Sequence, residues 1–467
     1  MNLRHPNINI PEDNPFLNCK LERKKYAEIL KVVVSSGDGF VLAINNEWGT
    51  GKTTFIKMWR QLLINENFRT IYFNAWENDF ETTPLPAILA ELRNILTPSN
   101  ENKFKSVLNS GAKVVQNVVP AIAKGLMKRY VDIEELTEGV EGVAKAATEL
   151  LNEEIKKHTS RQKGMLEFRK NLEDFVLNGE DDKPLIFIID ELDRCRPSYA
   201  VEFLEHIKHF FSVKGIVFVL AIDKRQLCSS IKGAYGSETF DSNDYLRRFI
   251  DVEYSLPKPS ISAFCNYLFG YYGFADYFHS GPSEKSSRLQ AEAANFLQFS
   301  SLYFEKANLS LRQQEKIFSH LRISLKSFNQ TSLIFPSAFI ILTHLYSYNN
   351  SLYNKIRNRQ LSLQEFINEI EAILKPYINH SLKKFIVYTD AILIFLYKNY
   401  YGQIRNDITL YRNDSEHTAQ LLFSSSFGNS EDDKDILNRL ISFDSSEFCD
   451  IGIDYLLNKV ELLEPLN

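Results

Sequence analysis

Residues 39–54, GFVLAINNEWGTGKTT, run from an uncharged apolar stretch straight into a glycine-rich turn that ends in Lys-Thr. An apolar run this short, bounded by turn formers, suits a strand buried on both faces, as in the middle of a parallel sheet. From Thr53 onward Phe55, Trp59, Leu62 and Leu63 recur at helical spacing. A helix there covers one side of that sheet. Strand, tight loop and helix in this order leave few folds open, because a parallel neighbour must be reached by a right-handed crossover.

Three more apolar runs repeat the strand signal: RTIYFNAW (69–76), PLIFIID (184–190) and GIVFVLAID (215–223). Between the last two, AVEFLEHIKHFF places Val201, Leu204, Ile207 and Phe210 or Phe211 on one helical stripe. Residues 1–20 read as an irregular lead-in with Pro6, Pro11 and Pro15, and LERKKYAEILKVVV as an amphipathic helix after it. A long stretch at about 84–180, rich in Ala, Glu, Lys and Val, interrupts the alternation with helical patterns. The expected fold is an α/β parallel sheet flanked by helices over 21–255, with that helical insert. Beyond about residue 255 the strand signals fade, and 256–467 is expected to be α-helical, with SSSFGNSEDDKD (424–435) as a loop.

The chemistry sits at the ends of these strands. Positions 46–53 follow the phosphate-binding pattern G-x-x-x-x-G-K-[ST], except that Asn46 stands at the first glycine. Asn tolerates a left-handed backbone, so the turn is expected to survive. Asn46, Glu47, Trp48, Gly49, Thr50, Gly51, Lys52, Thr53 and Thr54 form the candidate nucleotide-binding set. Gly49 and Gly51 let backbone N–H groups close on phosphate oxygens, Lys52 reaches the β- and γ-phosphates, and Thr53 ligates Mg²⁺. LIFIIDELD is an apolar strand ending in acids. Asp190 is placed to hold Mg²⁺ through water, and Glu191 to orient or deprotonate the attacking water. Asp193 either shares that role or pairs with Arg194.

Four further positions carry two readings each. Asp223, at the tip of the fourth apolar run, either contacts the γ-phosphate or attacking water, or caps the helix KRQLCSSI. Arg247 and Arg248, in YLRRFID, are either surface residues or candidates for an arginine supplied to a neighbouring subunit. Arg312, in NLSLRQQEKI, is either a surface residue or a γ-phosphate sensor.

Charge and cysteine usage narrow the function classes. Lys and Arg number 54 against 59 Asp and Glu, for a net charge of -5. Nucleic-acid binding remains possible, but this balance does not support it. The five cysteines, at 19, 195, 228, 265 and 449, form no CxxC pair, so a reducing cytoplasm is expected. The N-terminal residues show no apolar core of a signal peptide. LIFPSAFIILTHLY (333–346) is short for a membrane span and carries Pro336 and His344, so it reads as a buried helix. SGAKVVQNVVPAIAKGLMKRY, with Lys113, Gln116 and Asn117, is not expected to span a bilayer either. His206 and His209 lie three apart without an evident third ligand.

Taken together, EWGTGKTT, FNAWEND, IIDELDRCRP, AIDKRQL, YLRRFID and LSLRQQEKI, preceded by LERKKYAEIL, resemble the KAP-type P-loop NTPases over roughly residues 16–330. The resemblance implies an ASCE-type core, with an additional strand between the phosphate-binding and acidic strands. It also implies ATP and Mg²⁺ as cofactors. Many members carry membrane helices between those two motifs; this insert lacks such spans, so the chain looks like a soluble bacterial type. Some members of that type act in anti-phage defence beside partner proteins. Asn46 departs from the family's glycine, and Glu191 from the Asp that many members have. Two roles follow. One is an ATP-hydrolysing switch or motor that forms a homo-oligomer on ATP. The other is a nucleotide-gated scaffold or sensor with little hydrolysis, which assembles with an effector protein.

Overall fold

The computed structural model describes residues 9–463, apart from 37–38, 81–83, 99, 117–162, 178–182, 209–212, 238, 280–282, 329–331, 378–382, 405–407, 414–418, 426, 428–429 and 447–448. The chain divides into two compact units that meet in sequence between Lys258 and Pro259.

The first unit holds a five-stranded sheet of β1 (Phe40–Asn45), β2 (Thr70–Asn74), β3 (Leu185–Asp190), β4 (Ile216–Ile222) and β5 (Val252–Ser255). The order is β2-β3-β4-β1-β5 and every pair is parallel. β3 and β4 are buried along their whole length, which is why their sequences are unbroken apolar runs. Alternate side chains enter opposite cores. Leu42, Ile44, Ile186, Ile188, Val217 and Val219 meet α1 (Lys24–Ser35) and α2 (Lys52–Asn65) through Leu30, Phe55, Trp59 and Leu63. Val41, Ala43, Phe187, Ile189, Phe218 and Leu220 meet the other layer, including Leu89, Phe175, Phe203 and Leu204. Phe16 of the lead-in is buried edge-on against Phe55.

β5 is the strand that the apolar pattern does not reveal. VEYS lies at the sheet edge, mostly exposed, and pairs with β1 alone, so its residues carry no buried run. In the insert, Leu85–Leu92, Glu101–Gln116 and residues 163–176 are helical. Most of SGAKVVQNVVPAIAKGLMKRY lies outside the described residues. Phe210 and Phe211 also lie outside them, and the helix read there is Pro197–Ile207.

The second unit is built of helices, among them Leu311–Ser324, Leu363–Leu374 and Lys383–Gly402. Two findings depart from the sequence reading. A small antiparallel hairpin pairs Tyr411–Asn413 with Ala419–Leu421. The stretch expected as a loop at 424–435 already enters a helix at Ser430, because the charged run SEDDKD leads into Ile436 and Leu440, which are buried at helical spacing. Pro336–Tyr348 is a helix whose residues from Ser337 to Thr343 are all buried. No described helix is long and apolar enough to cross a membrane.

Candidate functional site

Strand register places the chemistry. Asn74 pairs with Asp190, Asp190 with Ala221, and Asn45 with Ile222. The carboxyl ends of β1 to β4 therefore lie level, and the loops leaving them share one edge of the sheet.

The loop from β1 to α2 turns on Gly49 and Gly51, both at φ 77°, a left-handed backbone that glycine adopts without strain. Asn46 does not take such a conformation; its side chain does the work instead. Its Oδ1 accepts the Glu47 N–H at 2.8 Å, and its Nδ2 donates to the Leu256 carbonyl at 3.1 Å. Thr50 closes the turn on the Glu47 carbonyl at 2.8 Å. Gly51 is the N-cap of α2 and supplies no side-chain cap, so the N–H groups of the first turn stay available to an anion. Lys52 opens that turn and is buried; Thr53 and Thr54 follow it, half-buried.

Lys52 Nζ donates to the Asn46 carbonyl at 3.1 Å and stands 3.9 Å from Asp193 Oδ2. Burial lowers its pKa, opposed by Asp193, Asp190 and Asp223, while Arg194 lowers it further. Asp190 is fully buried. Its Oδ2 accepts the Tyr72 hydroxyl at 3.0 Å and its Oδ1 the Glu191 N–H at 2.9 Å, and the Thr53 hydroxyl is near enough to lower its pKa. Burial raises its pKa; the Tyr72 bond is the largest opposing effect. One carboxylate with a threonine hydroxyl beside it is the oxygen donor set that Mg²⁺ takes when phosphates and water complete its shell.

Glu191 sits at φ 63°, an uncommon conformation for a residue with a Cβ. It caps the single turn Leu192–Arg194. Arg194 pairs with Glu191 rather than with Asp193, at 2.6 Å. Asp193 is buried and accepts the Trp48 indole N–H, and its Oδ1 has no partner. Of the two readings of Asp223, the structure shows the helix cap. Its Oδ1 caps the helix Lys224–Tyr235 through Gln226 N, and its Oδ2 holds the Trp48 backbone N–H at 3.1 Å. Asp193 and Asp223 thus grip Trp48 from two sides and fix the loop.

The structure brings Asn46 to Thr54, Asp190, Glu191, Asp193 and Asp223 together. Arg247 ends the short helix Ser242–Arg247 and is exposed; Arg248 follows, exposed, 3.8 Å from Asp244. Among the described residues, no hydrogen bond or ion pair joins either one to the loop. Arg312 belongs to the second unit, exposed beside the capping box of Ser310 and Gln313.

Three residues at the site escaped the sequence reading. Tyr72 and Asn74 lie on β2, where polar residues alternating with buried Ile71 and Phe73 were a usable signal. Asn74 Nδ2 reaches Glu191 Oε2 at 3.3 Å. Arg23 is 1 % exposed and donates to the Gly51 carbonyl at 3.2 Å, and burial lowers its pKa to about 10. A single Arg in a charged helix start carries no sign of this.

A sequence profile described as the KAP family P-loop domain matches residues 19–324, more than half of the chain. No curated protein matches. Among solved structures, that of the Aeropyrum pernix ORC2 protein in ADPNP–ADP complexes is similar at 14% identity. The match covers 91% of this chain and 95% of that one, with a TM-score of 0.31.

Proposed function

The chain belongs to the KAP family of P-loop NTPases and carries that family's nucleotide-binding domain, and from this premise we propose that it binds ATP with Mg²⁺ and hydrolyses it as a conformational switch. One observation carries the reading. The unsatisfied first turn of α2, buried Lys52, the Thr53–Asp190 pair and Glu191 all converge at one sheet edge. The α2 N–H groups and Lys52 bind the phosphates, and Thr53 with Asp190 holds the cation, which neutralises phosphate charge. Glu191 orients the attacking water. Asp193 Oδ2 stands 3.9 Å from Lys52 Nζ, where a phosphate would compete with it for the ammonium.

A second reading, a nucleotide-gated scaffold with little hydrolysis, draws support from Glu191, whose two oxygens are both engaged. We infer for either reading that ATP drives assembly with further copies, with Arg247 or Arg248 supplied to a neighbouring copy and Arg312 sensing the γ-phosphate, and that an effector or sensor protein is engaged. Cytoplasmic action in anti-phage defence rests on resemblance to soluble bacterial members. The test is Mg²⁺-dependent ATP turnover, with light scattering on a sizing column with and without ATP. Turnover lost in both Lys52→Ala and Glu191→Gln, with ATP still bound by the second, supports the hydrolysing switch. Assembly on ATP without Glu191-dependent turnover establishes the scaffold.

A further inference from the structure

Arg194 lies three residues past the base, at the end of the turn Leu192–Arg194. The left-handed backbone at Glu191 folds this turn back, so the guanidinium Nη1 meets Glu191 Oε1 at 2.6 Å. Asn74 holds Oε2. A carboxylate that is to orient water must aim a lone pair at it; each oxygen here keeps a second lone pair, but Arg194 and Asn74 fix the direction in which the carboxylate faces. The pair is sheltered, with side-chain exposures of 25% and 11%, so it is screened less than a surface pair.

The guanidinium also faces Trp76, with its carbon 5.7 Å from the ring centroid. That is the distance at which a cation is attracted to an aromatic face. Trp76 is 54% exposed on the loop that follows β2. Arg194 also lowers the pKa of Lys52.

We propose that Arg194 is a positioning residue that clamps Glu191 in the resting site, with Trp76 keeping the clamp in place, so that hydrolysis waits on Arg194 leaving the carboxylate. The proposal rests on the hydrolytic reading above. It gives a reason for a cation three residues past the base, and for an exposed indole beside it.

The experiment measures kcat, KM, ATP binding and thermal stability of the full chain for wild type, Arg194→Met, Arg194→Lys and Trp76→Ala, and repeats Glu191→Gln in the Arg194→Met background. Releasing the clamp raises kcat by about fivefold, the shift that losing one sheltered ion pair produces, with KM unchanged. Arg194→Lys returns most of the restraint, Trp76→Ala raises kcat less, and Glu191→Gln removes the gain. A kcat that falls or stays level in a folded Arg194→Met variant overturns the clamp. Should that variant not fold, Trp76→Ala decides by the same criterion. Lys52-dependent ATP binding with no turnover in any variant also overturns the clamp, while nucleotide binding stands. Absence of Lys52-dependent binding in wild type overturns the ATP reading, and the clamp with it.

Discussion

Asp390 in the helix Lys383–Gly402 is 0% exposed, and among the described residues neither carboxylate oxygen has a hydrogen-bond partner. Burial pushes its pKa well above the ordinary carboxylate range, and the neighbouring Glu371, also fully buried, pushes the same way. Below about pH 4 the folded and unfolded chains both hold this proton, and the group adds no pH dependence. Above that, the unfolded chain releases the proton while the folded chain keeps it. Stability must then fall as pH rises, by about 1.4 kcal/mol per unit, until the raised folded pKa is passed. From pH 5 to pH 8 the loss is at most roughly 4 kcal/mol. Asp390→Asn cannot titrate, so its curve should lack this slope; an unpaired buried amide sets its absolute stability, which is not the readout. All three tryptophans, at 48, 59 and 76, lie in the other unit, so urea unfolding is followed by far-UV circular dichroism. Parallel pH curves for wild type and variant, or a wild type that gains on the variant with rising pH, would refute the reasoning.

Two predictions concern the nucleotide site. Asn46→Gly restores the motif's usual glycine, yet it removes the bonds to Glu47 N and Leu256 O. It should destabilise the first unit by about 1–2 kcal/mol and weaken ATP binding in calorimetry, whereas tighter binding would show that those bonds do not hold the loop. Tyr72→Phe removes the donor that most lowers the pKa of buried Asp190, so that pKa rises further and the ionised form is lost sooner as pH falls. The variant's Mg²⁺ requirement should exceed that of wild type more at pH 6 than at pH 8; an identical pH dependence in Mg²⁺ titrations counts against the assignment.

What was legible in the sequence is what local pattern reports. Buried strands β1, β3 and β4 show as unbroken apolar runs because both their faces are covered. The loop 46–53 and the acids after β3 show as spacing, since a phosphate cradle needs its glycines, Lys and Thr within one turn. β5 escaped because an exposed edge strand needs no apolar residues. The roles of Trp48, Tyr72, Asn74 and Arg194 depend on which carboxylate each one meets. Trp48 lies 145 positions from Asp193, and Tyr72 lies 118 from Asp190. Sequence by itself determined which segments are buried and which residue types stand at their ends. Only the tertiary structure decided which of those residues touch, because strand order and register are set by pairing between distant segments, and no local periodicity encodes the partner across the sheet edge.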